Sequence, residues 1–527
     1  MSTTISLLFG LLVAIVALAT IATRLRIPYA VLLVIGGLVL GFVPGLPRIM
    51  LDPELILVLL LPPLIYSSAW LTSWREFRAN LRPILLLAIG LVLLTTIIIA
   101  VVAHAIAGLS WPVAFVLGAV VSPTDAVAAS ATAKLLGLAR RIVTVIEGES
   151  MVNDATGLVV YRFAVAAVVT GSFSLWQASL QFVVVGLGGL LIGLVLGWPV
   201  AWLHRHLDDA PIEITITLLT PYAAYLVADA LQVSGVLAVL SAGLYLSRQS
   251  SRFFSSNTRL QANAVWNVLV FLLNGLVFLL IGLQLPGILE SIAGRSLLTL
   301  TWEALFISLT VIAVRIAWVF PAAYLPRLVS PCLRERDPYP GWRQVAMVAW
   351  IGMRGGLSLA AALALPLTLT GGVPFPQRDL VIFFTFSVIL VTLVGQGLSL
   401  GPVIRLLGLE PDGSLEREHA QAHLVAARAA LSRLDELATE GWVPQDAFTR
   451  LHSSYEKKLR ALTTPMDDDA TTGGSAVHEP IQQRLRQEVL QAERAAVIGL
   501  RDRGRIDDET LRLVERELDL EEQRFQG

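Results

Sequence analysis

Acidic and amide side chains occur in two neighbouring apolar stretches of the chain, where a charged group is costly. The first stretch reads GAVVSPTDAVAASA and the second VTVIEGESMVNDATGLVVYRFAV. Their charged and amide residues are Asp125, Glu147, Glu149, Asn153, Asp154 and Arg162. A charged side chain at the centre of a membrane helix costs about 2.5–3.5 kcal/mol on insertion scales, and such residues mark functional sites. The cluster therefore predicts a functional site inside a membrane.

The spacing in the second stretch places these residues on two stripes of one helix. Residues three and four positions apart are neighbours on a helix surface. Glu147, Ser150 and Asp154 therefore share one face, and Glu149 and Asn153 share the adjacent one. Hard cations take oxygen ligands, and a carboxylate can exchange its cation for a proton. We expect the Ser150 and Asp154 face to bind a monovalent cation and protons.

The first stretch is interrupted by a proline. Pro123 removes a backbone donor and clashes with the preceding turn, which breaks a helix. At membrane depth, a break is tolerated where it lines a cavity or is buried in protein. We expect Thr124 and Asp125 in this unwound segment to face Ser150 and Asp154. Two roles stay open for Asp125, cation binding and compensation of helix-end dipoles, and we favour the second.

A third apolar stretch, VAMVAWIGMRGGLSLAAALALP, is also interrupted, in this case at GMRGG. A lone buried arginine is costly, so we expect a carboxylate partner for Arg354. Glu149 is the predicted partner, because Glu147 and Asp154 face another direction. The two interrupted stretches correspond if six spans repeat after one linker span, which predicts two inverted repeats. Matching interrupted helices in two halves indicate the binding site of a transporter.

Composition indicates a polytopic membrane protein. The 527 residues are 55% hydrophobic and 15% charged, with a net charge of −1. Apolar runs of about 20 residues predict about thirteen transmembrane helices in an all-α domain at 1–408. Residues 409–527 predict a small helical cytosolic domain with a flexible linker near 463–480, one amphipathic helix around Leu424–Leu434 before the linker and two helices within Gln482–Gln523 after it. The chain has no charge pattern typical of nucleic-acid binding and no phosphate-binding or catalytic motif, so we expect neither an enzyme nor a cofactor.

Basic residues in the loops predict the orientation. Loops on one side carry clusters such as Arg75, Arg78 and Arg82, whereas the loops on the other side hold isolated residues, Arg48, Arg295 and Arg378. Positively charged loops stay in the cytoplasm. We expect a multi-pass protein of the cell membrane with its N-terminus outside and its C-terminus in the cytoplasm.

Four segments together, LPPLIYSSAWL, GAVVSPTDAV, EGESMVNDATGLV and GMRGGLSLA, closely resemble the monovalent cation:proton antiporters, in the sodium/proton exchanger branch. The resemblance covers about residues 5–408, with the motifs in family order. It implies a homodimer in the lipid bilayer, in which a core domain moves against a dimerisation domain. The predicted function is therefore exchange of sodium for protons, with potassium as the alternative cation and a channel or a membrane sensor as further alternatives.

The resemblance also implies roles for single residues. Asp154 binds a cation and a proton in turn, and Asn153 stabilises the site. Ser150 and the backbone carbonyl of Thr124 supply further oxygens, which gives a monovalent cation site at Asp154, Ser150 and Thr124.

The same resemblance makes Glu149 and Arg354 a structural ion pair. One position departs from the family pattern, because Ser67 stands where many members carry an acidic residue. Ser67 is therefore a possible accessory ligand. Asp229 is a second accessory candidate, which could line an exit funnel or cap the following helix.

Overall fold

A computed structural model describes residues 2–25, 27–44, 56–125, 127, 130, 133, 137–171, 175–292, 294–369, 373–409, 413–440, 442–463 and 480–526. These residues are helical almost throughout, with one isolated antiparallel bridge between Thr368 and Pro374. The predicted flexible linker near 463–480 lies, apart from its ends, outside the described residues.

The membrane part of the chain is a bundle of apolar helices. It begins with α1 (Ser2–Leu25), α2 (Tyr29–Gly41), α3 (Leu57–Leu71), α4 (Trp74–Ala79), α5 (Leu81–Ala107), α6 (Trp111–Val121), α7 (Arg140–Thr170) and α8 (Leu175–His204). It continues with α9 (Ala210–Ala230), α10 (Gly235–Phe253), α11 (Ser256–Leu283), α12 (Leu285–Ser291), α13 (Leu297–Val329), α14 (Pro331–Arg336), α15 (Trp342–Trp350), α16 (Gly356–Leu363) and α17 (Arg378–Leu407). Among the described residues, eight helical stretches are long and apolar enough to cross a membrane. The chain is therefore an all-α polytopic membrane protein, as predicted.

Local signals set many of the helix ends. Ser234, Ser255 and Ser296 precede α10, α11 and α13, and each side chain accepts a hydrogen bond from a backbone N–H of the first turn. Gly108 and Gly171 follow α5 and α7 with φ of 64° and 68°. Glycine adopts this left-handed conformation without the steric cost of a Cβ atom. These caps allow the chain to reverse direction between neighbouring spans.

The two predicted helix breaks are present. Helix α6 ends at Val121, and Val127 lies in the helix that follows the break. Helix α15 ends at Trp350, and α16 begins only at Gly356. Both interrupted stretches of the sequence are therefore interrupted in the structure, at the Pro123 segment and at GMRGG.

Burial separates inner helices from outer ones. Every residue of α6 from Val116 to Val121 is buried or nearly so. By contrast, α8 exposes many of its apolar side chains, including those of Leu191, Val195 and Trp198. An exposed apolar surface of this kind faces lipid or another membrane protein. The broken helices thus lie inside the bundle, where their backbone polar groups can find protein partners.

The C-terminal domain contains four described helices around two small apolar clusters. They are α18 (Ser414–Thr439), α19 (Gln445–Thr463), α20 (Pro480–Asp502) and α21 (Asp508–Gln526). The sequence indicated three of them, but not α19. Asp507 caps α21, because its carboxylate accepts hydrogen bonds from the backbone N–H groups of Glu509 and Thr510.

Helix α21 joins the C-terminal domain to the membrane domain. Asp519 accepts two hydrogen bonds from Arg259, at 2.9 and 2.5 Å. Further contacts join Ser73 to Asp508, Ser251 to Glu515 and Arg512 to the carbonyl groups of Trp70 and Leu71. These partners lie beside the membrane ends of α3, α10 and α11. The C-terminal domain is thus fixed to several spans at once.

Candidate ion-binding site

The two unwound segments cross and hydrogen-bond to each other. The backbone N–H of Asp125 donates to the Met353 carbonyl at 2.8 Å. The Arg354 guanidinium donates from Nε to the Val121 carbonyl at 3.1 Å. Backbone groups that a broken helix leaves without partners must be satisfied inside the protein at membrane depth. The crossing satisfies groups on both sides, which explains why the two breaks occur together.

Thr124 connects the first break to α7. Its carbonyl accepts a hydrogen bond from Ser150 Oγ at 2.9 Å, and its hydroxyl accepts one from Asn153 Nδ2 at 2.8 Å. The Thr124 hydroxyl in turn donates to Glu149 Oε1 at 3.1 Å. The two predicted stripes of α7 therefore both face the break. Asn153 is a positioning residue here, because its amide holds Thr124.

A cavity of about 90 Å³ lies beside this crossing. Its polar lining residues are Ser68, Thr124, Asp125, Ser150, Asp154, Asn274 and Ser358. Since one water needs on the order of 10–15 Å³ by the same measure, the cavity can hold a cation with part of its water shell. The predicted cation ligands Asp154, Ser150 and Thr124 are thus brought to one space.

Asp154 differs from the other acidic residues of the cluster. Its carboxylate lines the cavity and, within the part of the chain that the structure describes, makes no hydrogen bond or ion pair. Gly157, one turn further along α7, allows the helix to approach the break, because a Cβ atom there would meet Pro123 Cδ at 3.1 Å. A carboxylate held in this way is available to a cation or a proton.

Asp125 lies where the two breaks meet. Its Oδ1 accepts a hydrogen bond from the Val127 N–H at 2.9 Å, and its carboxylate contacts Gly355 closely enough to exclude a Cβ atom there. Gly355 precedes α16, so the carboxylate faces a helix N-terminus, where negative charge is favoured. Dipole compensation, the favoured role of Asp125, stays a prediction. The place of Asp125 in the cavity lining keeps cation binding open as well.

The buried partner of Glu149 is Arg315, so the predicted Glu149–Arg354 pair is corrected. Arg315 donates from Nη1 and Nη2 to the two carboxylate oxygens of Glu149, at 2.5 and 2.8 Å. Both side chains are 1% exposed. Arg315 also donates to the Val348 carbonyl in the last turn of α15, at 3.3 and 3.1 Å. The pair therefore joins α7, α13 and the second broken span.

Arg354 instead serves the backbone at the breaks. Besides Val121, its guanidinium binds the carbonyl of Gly352, and its backbone N–H donates to Thr392 Oγ1 at 3.2 Å. Thr392 lies in a π-helical segment of α17, Val391–Gln396. An arginine within an unwound segment lies next to carbonyl groups that have lost their helical partners, and five N–H donors can satisfy several of them. The carbonyl groups that the helix breaks leave without helical partners therefore determine the contacts of Arg354.

The two accessory candidates do not join the cavity. The Ser67 hydroxyl donates to the Leu64 carbonyl of its own helix at 2.9 Å, whereas the neighbouring Ser68 lines the cavity. Asp229 is half-exposed and pairs with Arg162 at 3.3 Å. It does not cap α10 either, because that cap is Ser234.

Sequence reasoning missed three polar residues of the site. Asn274 and Ser358 line the cavity, although neither was singled out. Asn274 carried a usable signal, because it interrupts the apolar run VLVFLLNGLVFLLIGL of α11. Arg315 is an isolated charge in the apolar sequence of α13, and its partner Glu149 can be identified only from the packing of α13 against α7.

Comparison with known proteins identifies the family of the chain. The family described as "Sodium/hydrogen exchanger, transmembrane" matches residues 10–406. An uncharacterized Na⁺/H⁺ exchanger of Mycobacterium tuberculosis is 40% identical, over 98% of this chain and 96% of its own. The sodium, potassium, lithium and rubidium/H⁺ antiporter of Bacillus subtilis is 32% identical, over 96% and 76%.

A solved structure shows a similar fold. The sodium proton antiporter MjNhaP1 from Methanocaldococcus jannaschii superposes with a TM-score of 0.59 at 20% identity, over 75% of this chain and 99% of that one. The family match spans most of the membrane part, including both broken helices and the cavity between them. The chain belongs to the sodium/hydrogen exchanger family.

Proposed function

We propose that the protein is a secondary antiporter that exchanges sodium, or another monovalent cation, for protons at Asp154. The observation that carries the proposal is the position of the Asp154 carboxylate, without a described protein partner, in a cavity between two crossing helix breaks that other oxygen-bearing side chains also line. The relatives named as Na⁺/H⁺ antiporters support the same activity.

The cavity supplies ligands for a hard cation. Asp154 contributes charge, and Ser150 Oγ and the Thr124 carbonyl contribute neutral oxygens. The Ser150 hydroxyl donates its proton to the Thr124 carbonyl, which brings the two oxygens together. Proton binding removes the negative charge of Asp154, so a proton and a cation compete for one site. Competition of this kind couples the two flows without a nucleotide.

The sequence and the relatives support proposals for the cation, the oligomeric state and the orientation in the membrane. Sodium is the common cation in their names, and the Bacillus relatives named for potassium as well keep potassium/proton exchange as the alternative. We propose a homodimer in the cell membrane, with the N-terminus outside and the C-terminal domain in the cytoplasm. The loop charges support this orientation, and the exposed apolar side chains of α8 offer a surface for lipid or a second copy.

A channel and a membrane sensor are the competing classes. A channel needs a continuous pore, and the Glu149–Arg315 pair and the crossing breaks fill the space beside the cavity. A sensor would use the transport fold to control the C-terminal domain. Proton counterflow separates the first alternative from an antiporter, because a channel carries cation without it.

The test is cation-driven proton movement in proteoliposomes. Asp154→Asn keeps the size of the side chain but removes its exchangeable charge, so we expect exchange to be lost while expression and folding remain. The matched control is Asp229→Asn, an aspartate outside the cavity, which should retain exchange. Substantial exchange by Asp154→Asn would remove the basis of the proposal.

A further inference from the structure

Two histidines and a glutamate converge on one point in the C-terminal domain. His419 and His423 are one turn apart on α18, and their Nε2 atoms lie 3.3 Å apart. Glu517 of α21 directs Oε1 to His419 Nε2 at 3.1 Å and Oε2 to His423 Nε2 at 2.8 Å. The three side chains form the one group with metal-ligand geometry among the residues that the structure describes.

A neutral imidazole has one donor and one acceptor nitrogen, and an ionised carboxylate only accepts. With the ring protons on Nδ1, the two Nε2 lone pairs and a Glu517 oxygen are directed to the same point. A cation bound at that point would be coordinated by all three side chains.

We propose that His419, His423 and Glu517 bind a divalent transition-metal ion, with Zn²⁺ as the best match. Two imidazoles and a carboxylate are a common ligand set for Zn²⁺. With Zn–N distances of about 2.0–2.1 Å, two ligands of a tetrahedron lie about 3.3–3.4 Å apart, which matches the separation of the two Nε2 atoms. Three protein ligands leave one position for water.

Neutral histidine and ionised glutamate are the protonation states that coordinate metal, so zinc binding at this site should weaken as the pH falls.

The site also has a mechanical consequence. Glu517 lies on α21, the helix that contacts the membrane domain through Asp508, Arg512 and Asp519. A metal ion would therefore fix α21 to α18 at the point where the C-terminal domain meets the membrane domain. Metal binding should slow amide hydrogen exchange in α21.

The test uses the full-length protein in detergent, with any affinity tag removed, because polyhistidine binds the same metals. After metal removal, ZnSO₄ is added, the protein is dialysed, and bound zinc is measured by mass spectrometry. We expect one zinc ion per chain, and Co²⁺ should give the visible absorption of a tetrahedral site. Since changes outside the ligand shell already cost about 10–100-fold in metal affinity, His423→Gln should weaken zinc binding by at least that factor.

The matched control is His452→Gln, which removes a histidine of the same domain that lies near Asp435 and Glu456. This variant should keep both the stoichiometry and the cobalt spectrum. His419→Gln and Glu517→Gln provide independent tests if His423→Gln folds poorly. Equal zinc binding by the wild type and the double variant His419→Gln/His423→Gln would overturn the proposal, and so would the absence of slower exchange in α21.

Discussion

Glu149 and Asp154 lie five residues apart on α7, and the structure holds them in opposite ways. Glu149 is 1% exposed, and its carboxylate is bound by both arms of Arg315 and by the Thr124 hydroxyl. Asp154 lines the cavity beside the helix breaks and has no described protein partner. Two carboxylates on one helix thus meet different environments within about one and a half turns.

The difference indicates that the partners of a buried acidic residue, rather than its depth in the protein, determine what it can do. A buried carboxylate must be paired, protonated or bound to a cation. Arg315 meets this requirement permanently for Glu149, which becomes part of the scaffold. At Asp154 none of the described residues meets it, which supports the proposal that a proton and a cation meet it there in turn.

The largest expected effect on stability comes from breaking the scaffold pair. Glu149→Gln or Arg315→Ala leaves one buried charge without its partner, which typically costs about 3–5 kcal/mol. We therefore expect a large loss of thermal stability in detergent for either variant. Arg354→Ala is the comparator, because Arg354 binds backbone carbonyls of Val121 and Gly352 instead.

A double-mutant cycle identifies the partner. Coupling between Glu149 and Arg315 should exceed coupling between Glu149 and Arg354, because contacting residues are not additive. Additive effects of Glu149→Gln and Arg315→Ala would contradict the pairing.

A third buried carboxylate, in the C-terminal domain, extends the comparison to an acidic residue that has no arginine as its partner. Glu493 is 0% exposed, accepts a hydrogen bond from the Tyr455 hydroxyl at 3.0 Å and lies 3.8 Å from Lys458. Burial is the main cause that raises its pKa from 4.5 to about 7. The folded domain therefore keeps this proton at pH values where the unfolded chain loses it.

The sign of the pH dependence follows from that proton. Between pH 4.5 and about 7 the folded state binds more protons, so stability should fall as the pH rises and level off above about 7. The change is on the order of 3 kcal/mol, and Glu493→Gln should remove it. Amide hydrogen exchange in α20, corrected for intrinsic rates, measures the effect. The same pH dependence in wild type and variant would show that Glu493 is not its source.

A smaller effect on stability is expected at the start of α7, where one arginine forms ion pairs with several acidic residues. Arg140 makes ion pairs with Glu76, Glu418, Asp507 and Glu509, so it links the membrane domain to both ends of the C-terminal domain. Its side chain is partly solvated, and Arg140→Gln should weaken the docking of α21 by roughly 1–2 kcal/mol.

Limited proteolysis and hydrogen exchange of α21 measure that docking. Arg433→Gln is the control, because Arg433 pairs with Glu436 and Glu488 inside the C-terminal domain. Unchanged protection of α21 in Arg140→Gln would show that the remaining contacts hold the domain.

The sequence predicted what depends on local chemistry. Pro123 and the GMRGG segment indicate breaks because backbone sterics act within a few residues, and the spacing of Ser150 and Asp154 follows from helix geometry. The partner of Glu149 could not be derived in this way, because two arginines in apolar sequence satisfied the same argument. The choice between Arg315 and Arg354 depends on how α13 packs against α7. Helix α19 was missed because its polar surface hides the few apolar residues that pack inward.

The last prediction concerns the net charge that one transport cycle moves across the membrane, which we expect to be zero. Asn153 cannot titrate, Glu149 is tied to Arg315, and the Asp125 carboxylate is held by the Val127 N–H beside the start of α16. Asp154 is then the one carboxylate of the cavity that alternates between a proton and a monovalent cation.

An acid that binds either one proton or one monovalent cation moves no net charge in a full cycle. We therefore expect one-for-one, electroneutral exchange, with an apparent cation affinity that falls as the pH drops. Exchange in proteoliposomes should run at the same rate with the membrane potential clamped at zero and at about −100 mV, where one net charge would be worth about 2.3 kcal/mol. If the rate changes with potential in the wild type but not in Asp125→Asn, then Asp125 titrates as a second site. Helix-dipole compensation would in that case be only part of the role of Asp125. The comparison between the paired carboxylate of Glu149 and the unpaired carboxylate of Asp154 would then have to include Asp125 as an intermediate case, at the crossing of the two breaks.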